Sequence, residues 1–457
     1  MATDSGADTA AHTLVAGECR AHAAPLSRAG GVLDERSRKK RARSDAGGQP
    51  SPWACIQPDV LGVVLGFLPC LADRASVWSV CRHWRAAAHD HVLPPLLPVL
   101  VLPKLRFSCL CSSGARSAMR CTWRPEGVAT DDVRFMGSFH GWLVGVAPSK
   151  DRSMYFRGAD GECFLVKVDP FSRKVLRLPQ LSTFHQFAAC SRKALPVING
   201  SGEVHFTMND IYRMSIRKVV LSASPDSGSK YIVAASSYHT VSQTLALWQP
   251  GMMSWNTCEG VPLAGPKDLA FYQGKLYVLS RFMPRLLAFD LQEDDRAVIV
   301  SRVEQCATEP ILGHQPVGAL SCNMVVWRGK LLIIVRRYDQ SCTLRALRKV
   351  EVFALDMSRN PYGLTKIRSL DGDCIFVDSC NCHSFHGGLH DGVEGDLIYF
   401  VDQYSKYDDS GFNPSYDTFV YNMRDGTARP FAVELSPRNF GAPNGKLTVP
   451  LWLLPSQ

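Results

Sequence analysis

From residue 133 to the C-terminus the chain repeats one local pattern, and this restricts the fold more than any other feature. The unit is a polar turn containing glycine, a short apolar strand, a loop, and a second strand ending near an aspartate or asparagine. Gly141-Trp142-Leu143-Val144-Gly145-Val146 leads to Phe164-Leu165-Val166-Lys167-Val168-Asp169. Leu269 to Val278, with Gly274 at its centre, leads to Arg285 to Asp290. Met324 to Ile334, around Gly329, leads to Val350 to Asp356, and Gly395 to Val401 leads to Asp417 to Asn422. Glycine supplies the positive φ of a tight hairpin, and the alternating apolar positions face neighbouring sheets.

Gly274 and Gly329 are 55 residues apart, and Gly329 and Gly395 are 66. Such periods suit propeller blades that carry long loops. Gly202-Glu-Val-His-Phe206, and Tyr231 to Ala235 with Leu245 to Trp248, are two further candidate units. The pattern predicts a closed β-propeller of about five or six blades over 133–457, because closure removes exposed strand edges. A large β-sandwich is the alternative with the same strand content.

Residues 53–89 follow a different period. Pro58 and Asp59 suit a helix start, where a missing N–H costs nothing and a carboxylate meets the positive end of the dipole. Leu61, Leu65 and Leu68 recur at helical spacing, with Val60, Val64 and Phe67 as a second stripe, and Pro69 ends the run. Leu71 to Ser79 and Val80 to His89 read as two more short helices. So short an apolar bundle needs an outside surface to cover it.

The run Ile56-Gln57-Pro58-Asp59-Val60-Leu61, then Leu65 and Leu68-Pro69, then Val80-Cys81-Arg82-His83-Trp84-Arg85, resembles an F-box, the adaptor-docking motif of cullin–RING ubiquitin ligases. Leu71-Ala72-Asp73-Arg74 and Trp84-Arg85-Ala86-Ala87-Ala88 are similar to the F-box proteins of grasses. One departure is Ile56-Gln57 where the family has Leu-Pro. The C-terminal half resembles the kelch-like domain of unknown function joined to F-boxes in a large plant family. Gly141-Trp142-Leu143, Val168-Asp169-Pro170-Phe171-Ser172, Ser369 to Phe376 and Asn381-Cys382-His383-Ser384-Phe385 carry that resemblance.

The resemblance implies a substrate-recognition subunit of an SCF-type ligase. The helical motif would bind a small Skp-type adaptor and, through it, a cullin, and the propeller would hold a target protein. It assigns adaptor contact to Ile56, Pro58, Leu61, Leu65, Leu68, Val80 and Trp84. The sequence does not sort which of these lie instead in the core of the three helices. A propeller scaffold, or a small-ligand-binding protein acting without the ligase, remains the alternative.

The remaining segments set limits. Residues 1–52 are rich in Ala, Gly, Ser and Asp, with no apolar periodicity, and read as a disordered tail. Within it Arg36 to Arg43 holds six basic residues in eight, with Arg38, Lys39, Lys40, Arg41 and Arg43 as a candidate nuclear-localisation cluster. The alternative is a solvated charge run. Residues 90–132 form a proline-rich packed linker with entry strands, because Pro94, Pro95, Pro98 and Pro103 exclude a helix. A net charge of +9 on 457 residues is too mild and scattered to argue for nucleic acid. The first 30 residues lack an apolar leader, and no apolar run is long enough to span a bilayer. Nucleus, cytoplasm or both are the expected locations, with the 16 cysteines as mostly buried free thiols.

Clusters that suggest chemistry are few. Cys380-Asn-Cys382-His383-Ser-Phe-His386-Gly-Gly-Leu-His390 has zinc-type ligands at a spacing unlike established fingers, so a structural role is expected. Cys109, Cys111 and Cys121 form a weaker cluster. The acidic stretch Asp402 to Asp409 lacks the oxygen alternation of a calcium loop. Neither a nucleophile elbow nor a phosphate loop nor a dinucleotide fingerprint occurs. The expectation is a non-catalytic protein without cofactor or metal.

Overall fold

The computed structural model describes residues 52–455 apart from 103–104, 111–118, 121–132, 149–160, 169–173, 180–196, 199–203, 206–214, 239–244, 259–265, 281–284, 295–296, 307–319, 342–343, 360–361, 390–392, 409–410 and 431–449. The basic cluster at 36–43, Cys111, Cys121, His390 and Asp409 therefore lie outside the described residues. Met1–Cys55 is one unit, of which a single 3-10 turn, Pro52–Cys55, is described. Ile56–Gln457 is the second unit.

The second unit begins with three helices, α1 (Pro58–Gly66), α2 (Leu71–Val80) and α3 (Arg82–His89). Six sheets follow as the blades of a β-propeller. Blade 1 comprises Val99–Leu102, Arg106–Cys109 and Met119–Arg120, with Leu451–Leu453 on its inner side. Blade 2 comprises Arg134–Phe139, Trp142–Pro148, Gly161–Lys167 and Val175–Arg177. Blade 3 comprises Ser215–Leu221, Val233–Tyr238, Leu245–Trp248 and Asn256–Thr257. Blade 4 comprises Pro266–Tyr272, Lys275–Ser280, Leu286–Glu293 and Val298–Gln305. Blade 5 comprises Leu320–Trp327, Lys330–Ser341, Leu344–Asp356 and Gly363–Ile367. Blade 6 runs, from the inside out, Cys382–Phe385, Cys374–Asp378, Leu397–Asp408, Gly411–Asn422 and Ala428–Pro430. Val197–Ile198 and Val204–His205 pair separately, and Gly202 and Phe206 of that candidate unit lie outside the described residues.

The core is six apolar layers, one between each pair of neighbouring blades. Trp142 and Val144 of blade 2 meet Val219 and Val233 of blade 3. Leu276 and Val278 of blade 4 meet Ala234 and Leu247 of blade 3. The last layer brings Phe376 and Val401 of blade 6 onto Leu100 and Trp452 of blade 1. The sheets thus close on one another around a centre, which excludes the sandwich. Closure is made by the chain's end, since Val99, Leu100 and Val101 pair antiparallel with Leu453, Trp452 and Leu451. Among the described residues, no helix is long and apolar enough to cross a membrane.

The hairpin turns behave as the repeat requires. Gly141, Gly274 and Gly329 have φ of 80°, 75° and 69°, and the residue before each, His140, Gln273 or Arg328, is also left-handed. Phe139↔Trp142, Tyr272↔Lys275 and Trp327↔Lys330 flank these two-residue loops, the geometry that matches strand twist. The fourth unit differs. Leu397–Asp408 pairs in parallel with Cys374–Asp378, so Gly395 is not the corner of a hairpin. A Cβ at Gly395 would sit 2.4 Å from the carbonyl oxygen of Gly372, and glycine is needed there for the approach of two backbones. Blade 1 also begins inside the segment assigned to the linker. The four residues between Pro98 and Pro103 are buried on both faces as a strand.

Two substitutions probe this architecture. Trp452→Ala, at a wholly buried position, should destabilise by about 3–5 kcal/mol. Gly395→Ala should cost about 1–3 kcal/mol through overpacking against backbone. Both should appear as lowered midpoints in thermal melting.

Candidate docking surface

Helix α1 starts without a side-chain cap. Gln57 is extended (φ −63°, ψ 137°), and its carbonyl accepts from Leu61 N at 3.1 Å, with Pro58 and Asp59 in the first turn. Phe67 N and Leu68 N close the helix onto Val64 and Leu65 carbonyls. Helix α3 is capped by the Cys81 thiol, which accepts from Trp84 N at 3.4 Å.

The three helices are fastened to the proline-rich segment. The buried Arg74 guanidinium donates to Leu68 O and Pro94 O, both at 2.7 Å. Burial lowers its pKa to about 10, which leaves it charged at neutral pH. The His91 ring lies 2.9 Å from Pro58 O, against Gly62, where a Cβ would stand 2.7 Å from that ring. Leu71 and Trp78 of α2 join Val99, Val101 and Phe107 in the layer under blades 1 and 2. The helical motif and the first blade therefore share a core.

This packing sorts the candidate docking residues. Leu61 and Leu65 are fully buried against Ala87 and Ala88, with Ile56, Leu68 and Trp84 partly buried on the same cluster. Leu61 and Leu65 thus belong to the internal core of the three helices. Pro58 and Val80 are exposed. The outward face of α1 is made by Val60, Val63, Val64 and Phe67, and Phe67 is 76% and Val63 63% exposed. These positions fall at i, i+3, i+4 and i+7, one side of the helix. Val63 was absent from the sequence-based set, and Val60, Val64 and Phe67 were visible only as a second stripe.

The centre of the propeller is a belt of buried polar groups. Asp268 of blade 4 accepts the Lys218 ammonium from blade 3, Leu269 N at 2.8 Å, and Met324 N of blade 5 at 2.6 Å. Burial opposes the Lys218 charge, but Asp268, Cys382 and Asp378 outweigh it and raise its pKa. Asp378 of blade 6 accepts from Cys380 N, Asn381 N and, across the closure, Trp452 N at 2.6–2.7 Å. Burial pushes its pKa up to about 7 against these bonds. Ser138 Oγ of blade 2 donates to Trp452 O at 2.6 Å. Its single proton is thereby used, so it accepts from His383 Nε2 at 2.8 Å. His383 is thus the Nε2–H tautomer, and desolvation lowers its pKa to about 3.

The candidate metal segment is divided among separate tasks. His383 belongs to this belt, His386 Nδ1 lies 2.5 Å from Asp373, and Cys380 is buried. Among the described residues no three His, Cys, Asp or Glu side chains gather as a metal site. The described cysteines are free thiols. Burial raises Cys163, Cys258 and Cys306 to about 12 and Cys322 and Cys374 to about 11, which makes them poor nucleophiles. Trp248, Trp255 and Trp327 are packed within blades, and Tyr272 and Tyr399 are half-buried.

His383 makes acid stability testable. Its folded pKa lies below its unfolded value of 6.5, so the unfolded chain takes the proton first as pH falls. Its stabilising contribution is full above pH 6.5 and is lost as pH drops towards 3. Denaturant unfolding over that range should show the wild type losing more stability than His383→Gln.

Residues 110–422 match the family model described as the KIB1-4 beta-propeller. No curated protein sequence matches the chain. Among solved structures the chain is similar to an exo-beta-1,3-galactanase from Phanerochaete chrysosporium with beta-1,3-galactotriose. The identity is 8% and the TM-score 0.31, over 77% of this chain and 70% of that one. The same enzyme with galactose gives 9% and 0.29, over 70% and 66%. A GH43_1 enzyme from Xanthomonas citri gives 10% and 0.28, over 67% and 93%. At these scores the likeness carries no inference about activity.

Proposed function

The chain belongs to the KIB1-4 beta-propeller family, and on that footing we propose that it is a non-catalytic receptor subunit of an SCF-type cullin–RING ubiquitin ligase. The three helices are its F-box and dock a Skp-type adaptor, and the propeller holds a target protein. The chain contributes proximity, raising the target's effective concentration near the transfer enzyme. The observation that supports this reading best is the apolar stripe Val60, Val63, Val64 and Phe67, exposed on a helix whose other side is already packed. Exposed contiguous apolar surface of this kind suits burial by a partner. The shared core of α2 and blade 1 suits a receptor, because it fixes the target's orientation relative to the adaptor. Lys218 is engaged with Asp268, and Asp378 with backbone N–H groups, so the ligand-binding alternative gains no support from them.

Docking is tested with Val63→Asp/Phe67→Asp. Each change is on the surface and should alter stability by only about 0.5 kcal/mol. The double variant should lose adaptor and cullin in co-purification, and full retention would sink the assignment. Leu65→Asp is the wrong test, because a charge in the helical core unfolds the motif whatever its partner.

The same reading places the protein in the nucleus as well as the cytoplasm, through the cationic run at 36–43. A fluorescently tagged chain lacking residues 36–43 should shift towards the cytoplasm. Unchanged nuclear fluorescence would remove that part of the proposal.

A further inference from the structure

Helix α1 enters without the devices that usually fix a helix start. Gln57 is its N-cap and makes no side-chain capping bond, and it stands where the F-box resemblance expects proline. The helix has only nine residues, Pro58–Gly66. A helix this short is marginal on its own, and an uncapped first turn frays. Val60 and Val63, which begin the apolar stripe, lie in the first two turns. Their position is therefore only as definite as the entry.

Two imidazoles hold that entry from elsewhere in the chain. His83 Nε2, from the first turn of α3, lies 2.9 Å from Ile56 O. His91 Nε2, from the proline-rich segment, lies 2.9 Å from Pro58 O. A carbonyl oxygen only accepts, so both rings carry their proton on Nε2. The partners are 27 and 33 residues apart in sequence, so these are tertiary ties and not part of the helix's own ladder. They fall on the residues either side of Gln57, and so bracket the uncapped position.

Gly62 makes room for the second tie. A Cβ there would stand 2.7 Å from His91 Cγ and 2.8 Å from its Cδ2 and Nδ1, so any other residue would push the ring off Pro58 O. Glycine weakens a helix interior, and at this position the space it leaves is filled by the ring. At the other end of α1 the Arg74 guanidinium donates to Leu68 O at 2.7 Å. Backbone carbonyls at both ends of the helix are thus gripped by side chains from α2, α3 and the segment, while its apolar stripe stays exposed.

We infer that His83 and His91 are positioning residues for adaptor docking. They fix the entry of α1 in the role that proline would otherwise fill at Gln57, and so hold Val60, Val63, Val64 and Phe67 in place for the adaptor. This rests on the receptor reading and extends it to residues that act through α1. A surface held in its bound form spares the ordering cost of association, so the ties raise affinity by pre-organisation. Gln57 has φ −63°, the value at which proline is locked. Gln57→Pro therefore suits the backbone and supplies a second way of fixing the same entry.

Each variant of the full chain competes with a differently tagged wild-type chain for a limiting amount of recombinant Skp-type adaptor, and the ratio captured is read. His83→Ala/His91→Ala should compete about tenfold less well, as loss of two hydrogen bonds implies. His83→Gln/His91→Gln places an amide N–H donor at similar reach and should recover most of that loss. The decisive readout is non-additivity. Gln57→Pro should leave the wild type within about twofold but restore the alanine pair to within about threefold of it. A purely structural contribution gives the same factor in both backgrounds, and that result would overturn the inference, as would an alanine pair that competes like wild type. Where thermal melting shows the alanine pair to be unfolded, His83→Ala and His91→Ala are read singly in the same two backgrounds. If Val63→Asp/Phe67→Asp keeps the adaptor, the receptor reading falls and this inference with it. If that variant loses the adaptor while the alanine pair competes normally, only the role of the histidines falls.

Discussion

Ring closure is the constraint on which the structure depends. Six sheets packed face to face present unpaired edges and unfilled apolar faces unless the last meets the first. Here the meeting is made by three residues, Leu451, Trp452 and Leu453, which form the inner strand of blade 1. Trp452 contributes at two levels. Its ring packs edge-on against Phe376 at 5.1 Å, and its backbone N–H and carbonyl are taken by Asp378 and Ser138. Apolar packing supplies driving force without direction, whereas the buried polar bonds accept only one register. The combination lets so short a strand set the position of the chain's end.

The same economy links the helices to the propeller. Arg74 is buried without a carboxylate partner in its two assigned bonds, both of which go to backbone carbonyls on either side of the Pro69 turn and the proline-rich segment. An extended chain full of prolines has few N–H groups to offer, so its carbonyls need donors from elsewhere. Arg74 meets part of that need at Pro94 O, while His91, itself in the segment, reaches back to Pro58 O of α1, so both side chains join the helices to the segment. A segment that composition describes as a linker is, physically, a strut.

Local chemistry made much of this legible. The glycines at 141, 274 and 329 marked hairpins because a left-handed corner favours glycine, and each is such a corner. What the sequence concealed was long-range or symmetric. Val99–Leu102 carries no mark of its pairing with the chain's end. Gly395 looked like the other turn glycines, but its role is set by Gly372, a backbone neighbour that no local pattern reveals. Within α1, Pro-Asp-Val-Leu-Gly-Val-Val-Leu-Gly is apolar nearly all round. Helical spacing then groups residues into faces without saying which face is inward, and Ala87 and Ala88 of α3 decide it.

Blade 5 shows how a repeated fold acquires an individual surface. Its lower half obeys the repeat, with the Arg328-Gly329 corner and apolar alternation through Ile333 and Val335. Past Arg337 the register shifts by a bulge, and among the described residues the outer strand pairs no further than Val352 and the inner strand no further than Arg337. Bulges increase strand twist and re-aim side chains where pairing ends. The cations around Glu351 stand at that transition. A blade need only lengthen two strands to build such a place, because the apolar layers on either side hold its root whatever the longer strands carry. Closure at one end of the chain thus frees the blades to vary at their tips.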